Sequence, residues 1–137
     1  MEILNKSKKY HSSEHLIYSC QYHVIFCPKY RRKVLVYGVD IRLKELFKEI
    51  SDKYKFNIVE IEVMPDHVHM LIDCNPRFGI MTVINKLKGE SSKIIRDEFP
   101  YLKGKAPTLW TRSSFISTVG SVSLETVKKY IEDQKNV

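Results

Sequence analysis

Apolar and polar positions along the chain predict a succession of strands and helices. The run IYSCQYHVIFC, rich in β-branched and aromatic residues, predicts a strand over 17–27. The segment PKYRRKVLVYG then reads as a basic loop or short extended piece. Over residues 40–54, Leu43, Leu46, Phe47, Ile50 and Tyr54 recur at helical spacing. FNIVEIEVM (56–64) returns to alternation, with Val59, Ile61 and Val63 on one face and Glu60 and Glu62 on the other. Met64-Pro65-Asp66 interrupts it, and HVHMLID resumes as a strand. A second helix is expected over 79–98, striped by Ile80, Val83, Ile84, Leu87, Ile94 and Ile95 and weakened at Gly89. A loop over 100–107, a strand TLWTRSSFIST (108–118) and a turn at Gly120 lead to a last helix over 123–134. Ser123 suits its N-cap and Glu125 its first turn, where the helix dipole favours an acid. Residues 1–16 are polar and read as an N-terminal arm.

The order is β-α-β-β-α-β plus a terminal helix. That is the ferredoxin-like α+β pattern, an antiparallel sheet with helices on one face and the other face open to a ligand. A chain of 137 residues suits one domain, 1–137, with a sizeable core. No apolar run is long enough to span a bilayer and no cleavable signal precedes the first strand, so a membrane partner is not expected. Three cysteines without a C-x-x-C pair fit a reducing cytoplasm better than a disulfide scaffold.

Charge adds a partner class. Lys and Arg outnumber Asp and Glu by 23 to 16, a net charge of +7. The basic residues gather in NKSKK (5–9), PKYRRK (28–33), INKLKG (84–89) and YLKGK (101–105), with Tyr10, Tyr30 and Tyr101 among them. Cationic side chains attract phosphates and aromatic rings stack on unpaired bases, which suits single-stranded nucleic acid. A solvated basic surface explains the same counts. Lys29, Arg31, Arg32 and Lys33 are the candidate DNA contacts, on charge alone.

Candidate chemistry begins with PDHVHMLID (65–73). In a strand, His67, His69, Leu71 and Asp73 leave by one face and Val68, Met70, Ile72 and Cys74 by the other. The second set is a core face. On the first, two imidazoles start about 6–7 Å apart at Cα and can converge on a metal ion; the alternative is a pair of surface histidines without a role. In the last helix Leu124, Val127 and Ile131 define an apolar arc that also takes in Gln134, with Tyr130 on its flank. The neutral amide oxygen of Gln134 could complete a His-His-Gln site; the alternative is a solvated residue at a frayed helix end. A phenol is mostly protonated at neutral pH and needs help to act as a nucleophile; a divalent ion on His67, His69 and Gln134 would polarise a phosphodiester for attack by Tyr130. Taken alone, such a tyrosine is more often a packing residue. Magnesium prefers all-oxygen shells and manganese accepts imidazole with oxygen, so Mg2+ and Mn2+ both stay open. Cys20, His23 and Cys27 imitate a zinc spacing, but Cys20 and Cys27 face opposite ways in a continuous strand and lie about 23 Å apart. Glu60 and Glu62 share a face near the histidines, as outer groups of a metal site or as a solvated stripe.

Together, YHVIFCPKYRRKVL, VMPDHVHMLI, SFISTVG and VKKYIEDQ resemble, in order and over about residues 17–135, the small single-tyrosine HUH transposases of insertion sequences that move as single-stranded DNA. The resemblance implies a dimeric strand transferase that recognises hairpins near element ends and forms a 5′-phosphotyrosine and a free 3′-OH. By position it implies His67 and His69 as histidine ligands, Tyr130 as nucleophile and Gln134 as the helix-borne ligand, with the tyrosine helix commonly completing the partner subunit's site. This chain stops three residues after Gln134, where relatives often continue. A domesticated relative that processes repetitive hairpins is an alternative within the same chemistry. A non-catalytic single-strand-binding module is an alternative outside it, but expects aromatics where His67, His69 and Asp73 stand.

Overall fold

The computed structural model describes residues 2–3, 11–13, 16–119 and 124–137. Its elements are β1 (Glu2–Ile3), β2 (His11–Ser13), β3 (Leu16–Tyr18), β4 (Gln21–Phe26), α1 (Val39–Tyr54), β5 (Asn57–Met64), β6 (His67–Asp73), α2 (Ile80–Glu98), β7 (Phe115–Thr118) and α3 (Leu124–Asp133). Short 3-10 turns occupy Lys29–Arg31, Pro100–Gly104 and Gln134–Asn136. The main sheet runs β1-β5-β6-β4-β7. All its pairings are antiparallel. Without the edge strand β1, β4-α1-β5-β6-α2-β7 is the expected ferredoxin-like order.

Alternation in the strands builds the core. Tyr22, Val24 and Phe26 of β4 face the helices with Val68, Met70 and Ile72 of β6, and meet Leu43, Leu46, Phe47 and Ile50 of α1 and Val83, Ile84, Leu87 and Ile95 of α2. Burying each large side chain is worth about 1.5–3 kcal/mol. Phe26, Phe47 and Trp110 form an aromatic knot, the Phe26 and Trp110 rings edge-to-face at 4.7 Å. The indole N–H donates to Ser91 Oγ at 2.9 Å, which satisfies two buried polar groups at once. Helix α2 runs through Gly89 unbroken, since that position is exposed and packs against nothing.

Four expectations need correcting. The strand placed over 17–27 is two: β3 pairs with β2 and β4 with β6 and β7, and residues 19–20 separate them. The polar arm is not wholly without structure, because β1 adds to the sheet edge and β2 pairs with β3. The clean alternation over 56–64 is shifted by a bulge between Ile58 and Glu60, so Ile58, not Val59, stands opposite Ile72. The strand read over 108–118 begins only at Phe115. Residues 109–111 make only an isolated bridge to 27–29, and the ladder breaks after them, where the Lys88 ammonium donates to the carbonyls of Thr111, Arg112 and Ser113 at 2.9, 3.3 and 2.8 Å. Gly120, Ser123 and the side chains of Leu124 and Glu125 lie outside the described residues. Among the described residues no helix is long and apolar enough to cross a membrane.

Candidate active site

The period of two puts the histidines where expected. Buried Val68, Met70 and Ile72 alternate with His67, His69 and Leu71, which point to the face away from α1 and α2. Backbone pairing lines up Glu62, His69, Ile25 and Phe115 in one row across four strands of that face. Ile25 is fully buried although α1 and α2 lie on the other side. On the same face the Tyr130 ring of the last helix packs on Phe115, the neighbour of Ile25 in that row, with centroids 5.3 Å apart. The second face is therefore roofed at the β7 end and carries its imidazoles beside the roof.

Tyr130 Oη is buried and, among the described residues, none meets it in hydrogen-bonding geometry, although Ser113 lies close enough to act on it. Burial pushes its phenol up to about 12, only partly offset by the neighbouring Ser113, and Cys27 adds to the rise. Pairing of Phe26 with Val68 brings Cys27 level with His67 at the end of the two strands.

Each histidine is oriented by a neighbour. Asp66 Oδ1 lies 2.9 Å from His67 Nδ1, so that imidazole nitrogen donates to the carboxylate and Nε2 is left as the lone-pair donor. His69 Nε2 lies 3.3 Å from His23 Nδ1, one donating to the other. Burial first, and His23 next, lower the pKa of His69 and favour the neutral imidazole a metal requires. The donor set fits a divalent cation: two imidazoles leave by one face, and one of them is held by a carboxylate. Gln134 is buried, and its Oε1 accepts from Ser113 Oγ at 2.6 Å. An amide oxygen has a second lone pair free for another partner. Among the described residues no group of three or more His, Cys, Asp or Glu is arranged to hold a metal ion.

Sequence reasoning overlooked three residues here. His23 entered only through a Cys20-His23-Cys27 zinc spacing, and among the described residues no such group is arranged to hold a metal ion. Asp66 looked like a turn residue before a strand. Arg31 counted as one basic residue among several, yet its Nε meets Asp66 Oδ2 at 3.1 Å and its Nη1 meets the Ile131 carbonyl at 3.1 Å and Glu132 Oε2 at 3.2 Å. Only the proximity of Asp66 to HVH was a signal in the sequence. Lys29 is half-buried and Arg32 and Lys33 are exposed. Arg32 and Lys33 line a cleft of about 340 Å³ with Tyr37, Tyr101 and Lys105.

With this arrangement in view, comparison with known proteins is decisive. The model of the family described as "Transposase IS200 like" matches residues 16–134. The chain belongs to that family. It is 38% identical over 120 residues to the ISDra2 transposase TnpA of Deinococcus radiodurans, covering 86% of each protein. It is 32% identical over 126 residues to the transposase of insertion sequence element IS200 from Salmonella typhimurium, covering 90% of this chain and 82% of that one. A crystal structure of a Deinococcus radiodurans R1 protein superposes with a TM-score of 0.86 at 32% identity, over 93% of this chain and 99% of that chain. A REP-associated tyrosine transposase bound to a REP hairpin superposes with a TM-score of 0.52 at 14% identity, over 88% of this chain and 69% of that chain, a likeness of fold. This IS200-like chain is therefore a transposase-family protein with a ferredoxin-like sheet, and its imidazoles and tyrosine share one sheet face.

Proposed function

We propose that the chain cleaves and rejoins single-stranded DNA at hairpin-bearing element ends, with Tyr130 as nucleophile. The observation that carries this reading is the sheet face on which the Asp66-held His67 and His69 stand, with Tyr130 packed on Phe115 in the same row as His69. Tyr130 Oη bonds to phosphorus as the P–O3′ bond breaks, the phenol proton passes to the departing oxygen, and a 5′-phosphotyrosine and a free 3′-OH result. Reversal with a different 3′-OH rejoins the strand without ATP, because the phosphotyrosine conserves the bond energy.

His67, His69 and Gln134 would hold Mg2+ or Mn2+, which would supply positive charge beside the scissile phosphate. The residues of the chain do the rest. Asp66 holds His67 in one tautomer, His23 faces His69, and Ser113 fixes the Gln134 amide. Lys29, Arg32 and Lys33 present positive charge to the phosphates. The substrate is a DNA hairpin flanked by single strand, and two copies act together as a dimer.

A non-catalytic binding module accounts less well for a face bearing His23, His67, His69, Glu60 and Glu62 in place of stacking aromatics. The test is a denaturing gel. Incubated with 5′- and 3′-labelled single-stranded hairpin DNA and Mn2+, the protein should acquire a covalent label that chelation prevents and Tyr130→Phe abolishes. Label retained in the phenylalanine variant, or no label under any divalent ion, would sink the proposal.

A further inference from the structure

The turn at residues 29–31 is strained and doubly engaged. Tyr30 and Arg31 both sit at positive φ, 60° and 49°, a region that costs free energy for side chains with a Cβ. What the strain secures is the reach of this turn to both halves of the site. The Tyr30 N–H donates to the Val137 carbonyl at 3.0 Å, beyond the end of α3. The Arg31 guanidinium meets Asp66 Oδ2 through Nε, and the Ile131 carbonyl and Glu132 through Nη1. The other oxygen of Asp66 holds His67. Arg31, Asp66 and His67 side chains are 17%, 16% and 15% exposed, so the chain of charge-assisted bonds is largely shielded from solvent. Carbonyls in the last turn of a helix lack partners within the helix, and a cation there is favoured by the helix dipole.

We propose that Arg31 is a positioning residue that couples the orientation of His67 to the docking of the tyrosine helix, through Asp66. The inference rests on the reading of His67 as a metal ligand and Tyr130 as the nucleophile. One planar guanidinium serves both ends at once because its N–H groups form a rigid fork; a lysine ammonium on a flexible stem is a poor substitute. Arg31 thereby differs from Arg32 and Lys33, whose side chains are exposed to solvent.

Three measurements on the full chain test it: Mn2+ affinity from the paramagnetic signal of the free ion, amide exchange over residues 127–137, and the salt dependence of hairpin-DNA binding. Arg31→Gln should lower Mn2+ affinity about tenfold, as loss of a group that orients a ligand does, and speed exchange in α3. The DNA salt slope should stay within about half a unit. Asp66→Asn should do the same, and the double variant should be no worse than the poorer single one. Arg31→Lys, which keeps the charge, goes through the same measurements, so that misfolding of the glutamine variant cannot hide the answer. It should remain impaired in Mn2+ affinity. Mn2+ binding abolished by His67→Ala but untouched by both Arg31 variants overturns the coupling alone. Mn2+ binding that His67→Ala leaves unchanged overturns the metal-site reading, and the coupling with it. A salt slope reduced by about one, with Mn2+ affinity and exchange unchanged, makes Arg31 a phosphate contact and overturns the proposal.

Discussion

The ring of Tyr130 rests on the ring of Phe115, with centroids 5.3 Å apart and planes tilted by 50°. Phe115 is level with Ile25, and Ile25 with His69, so this contact attaches the last helix to the row that carries a histidine. Removing the hydroxyl while keeping the ring separates packing from chemistry. Tyr130→Phe should bind hairpin DNA as the native chain does, form no covalent adduct, and be as stable or more stable by up to about 1 kcal/mol, because it loses a buried hydroxyl that no described residue meets in hydrogen-bonding geometry. Urea denaturation and a gel-shift titration measure the two halves.

The same phenol predicts a pH effect. Its pKa is raised from 10.0 to about 12 by burial, so the folded chain keeps a proton that the unfolded chain releases. The stabilisation is fully present below about pH 10 and is lost as pH rises toward about 12. Denaturation midpoints at pH 9, 10 and 11 should therefore fall faster for the native chain than for Tyr130→Phe. Parallel curves would show that Tyr130 is open to water.

Lys88 anchors the approach to β7. Burial pulls its pKa down to about 8, and its ammonium sits 5.1 Å from the centre of the Phe26 ring while donating to three successive carbonyls. Lys88→Met keeps the aliphatic stem and strands those carbonyls, which should cost about 2–3 kcal/mol. Ser113, the partner of Gln134, lies in the freed segment, so Mn2+ affinity should fall as well. Unchanged stability would mean that water replaces the ammonium without penalty.

Binding to hairpin DNA should weaken with salt. Contact with about six phosphates gives a slope of log K against log salt near −4 to −5. Arg32→Ala with Lys33→Ala should flatten it by about two. An unchanged slope and affinity would remove the exposed part of the basic turn from the interface.

Helix sharing between copies is testable by mixing. Tyr130→Phe and His67→Ala chains are each expected to be inactive alone. If α3 of one copy serves the histidines of another, a mixed dimer, isolated through two tags, should regain cleavage at its one intact site. A helix that serves only its own chain leaves a lesion in every site, and mixed dimers that bind DNA and Mn2+ without cleaving would establish that arrangement.

What the sequence determined by itself is whatever depends on near neighbours. Period two in HVHMLID separated His67 and His69 from Val68 and Met70, because successive side chains of any strand leave by opposite faces. Period 3.6 gave the stripe of α1, and the order of elements gave the ferredoxin-like sheet. Four segments in register identified the family. Only tertiary structure decided the rest, because the deciding contacts join residues far apart in the chain. The ladder of β7 does not run back continuously from Phe115 because Lys88, more than twenty residues earlier, captures the carbonyls of Thr111, Arg112 and Ser113. A bulge opposite β6 moved Val59 out of the alternation it seemed to share. Arg31 looked like one charge in a basic run, and became a clasp only when α3, about a hundred residues on, came to rest beside Asp66. Local patterns record which face a side chain takes, while the partner it meets there is set by how distant strands and helices pack.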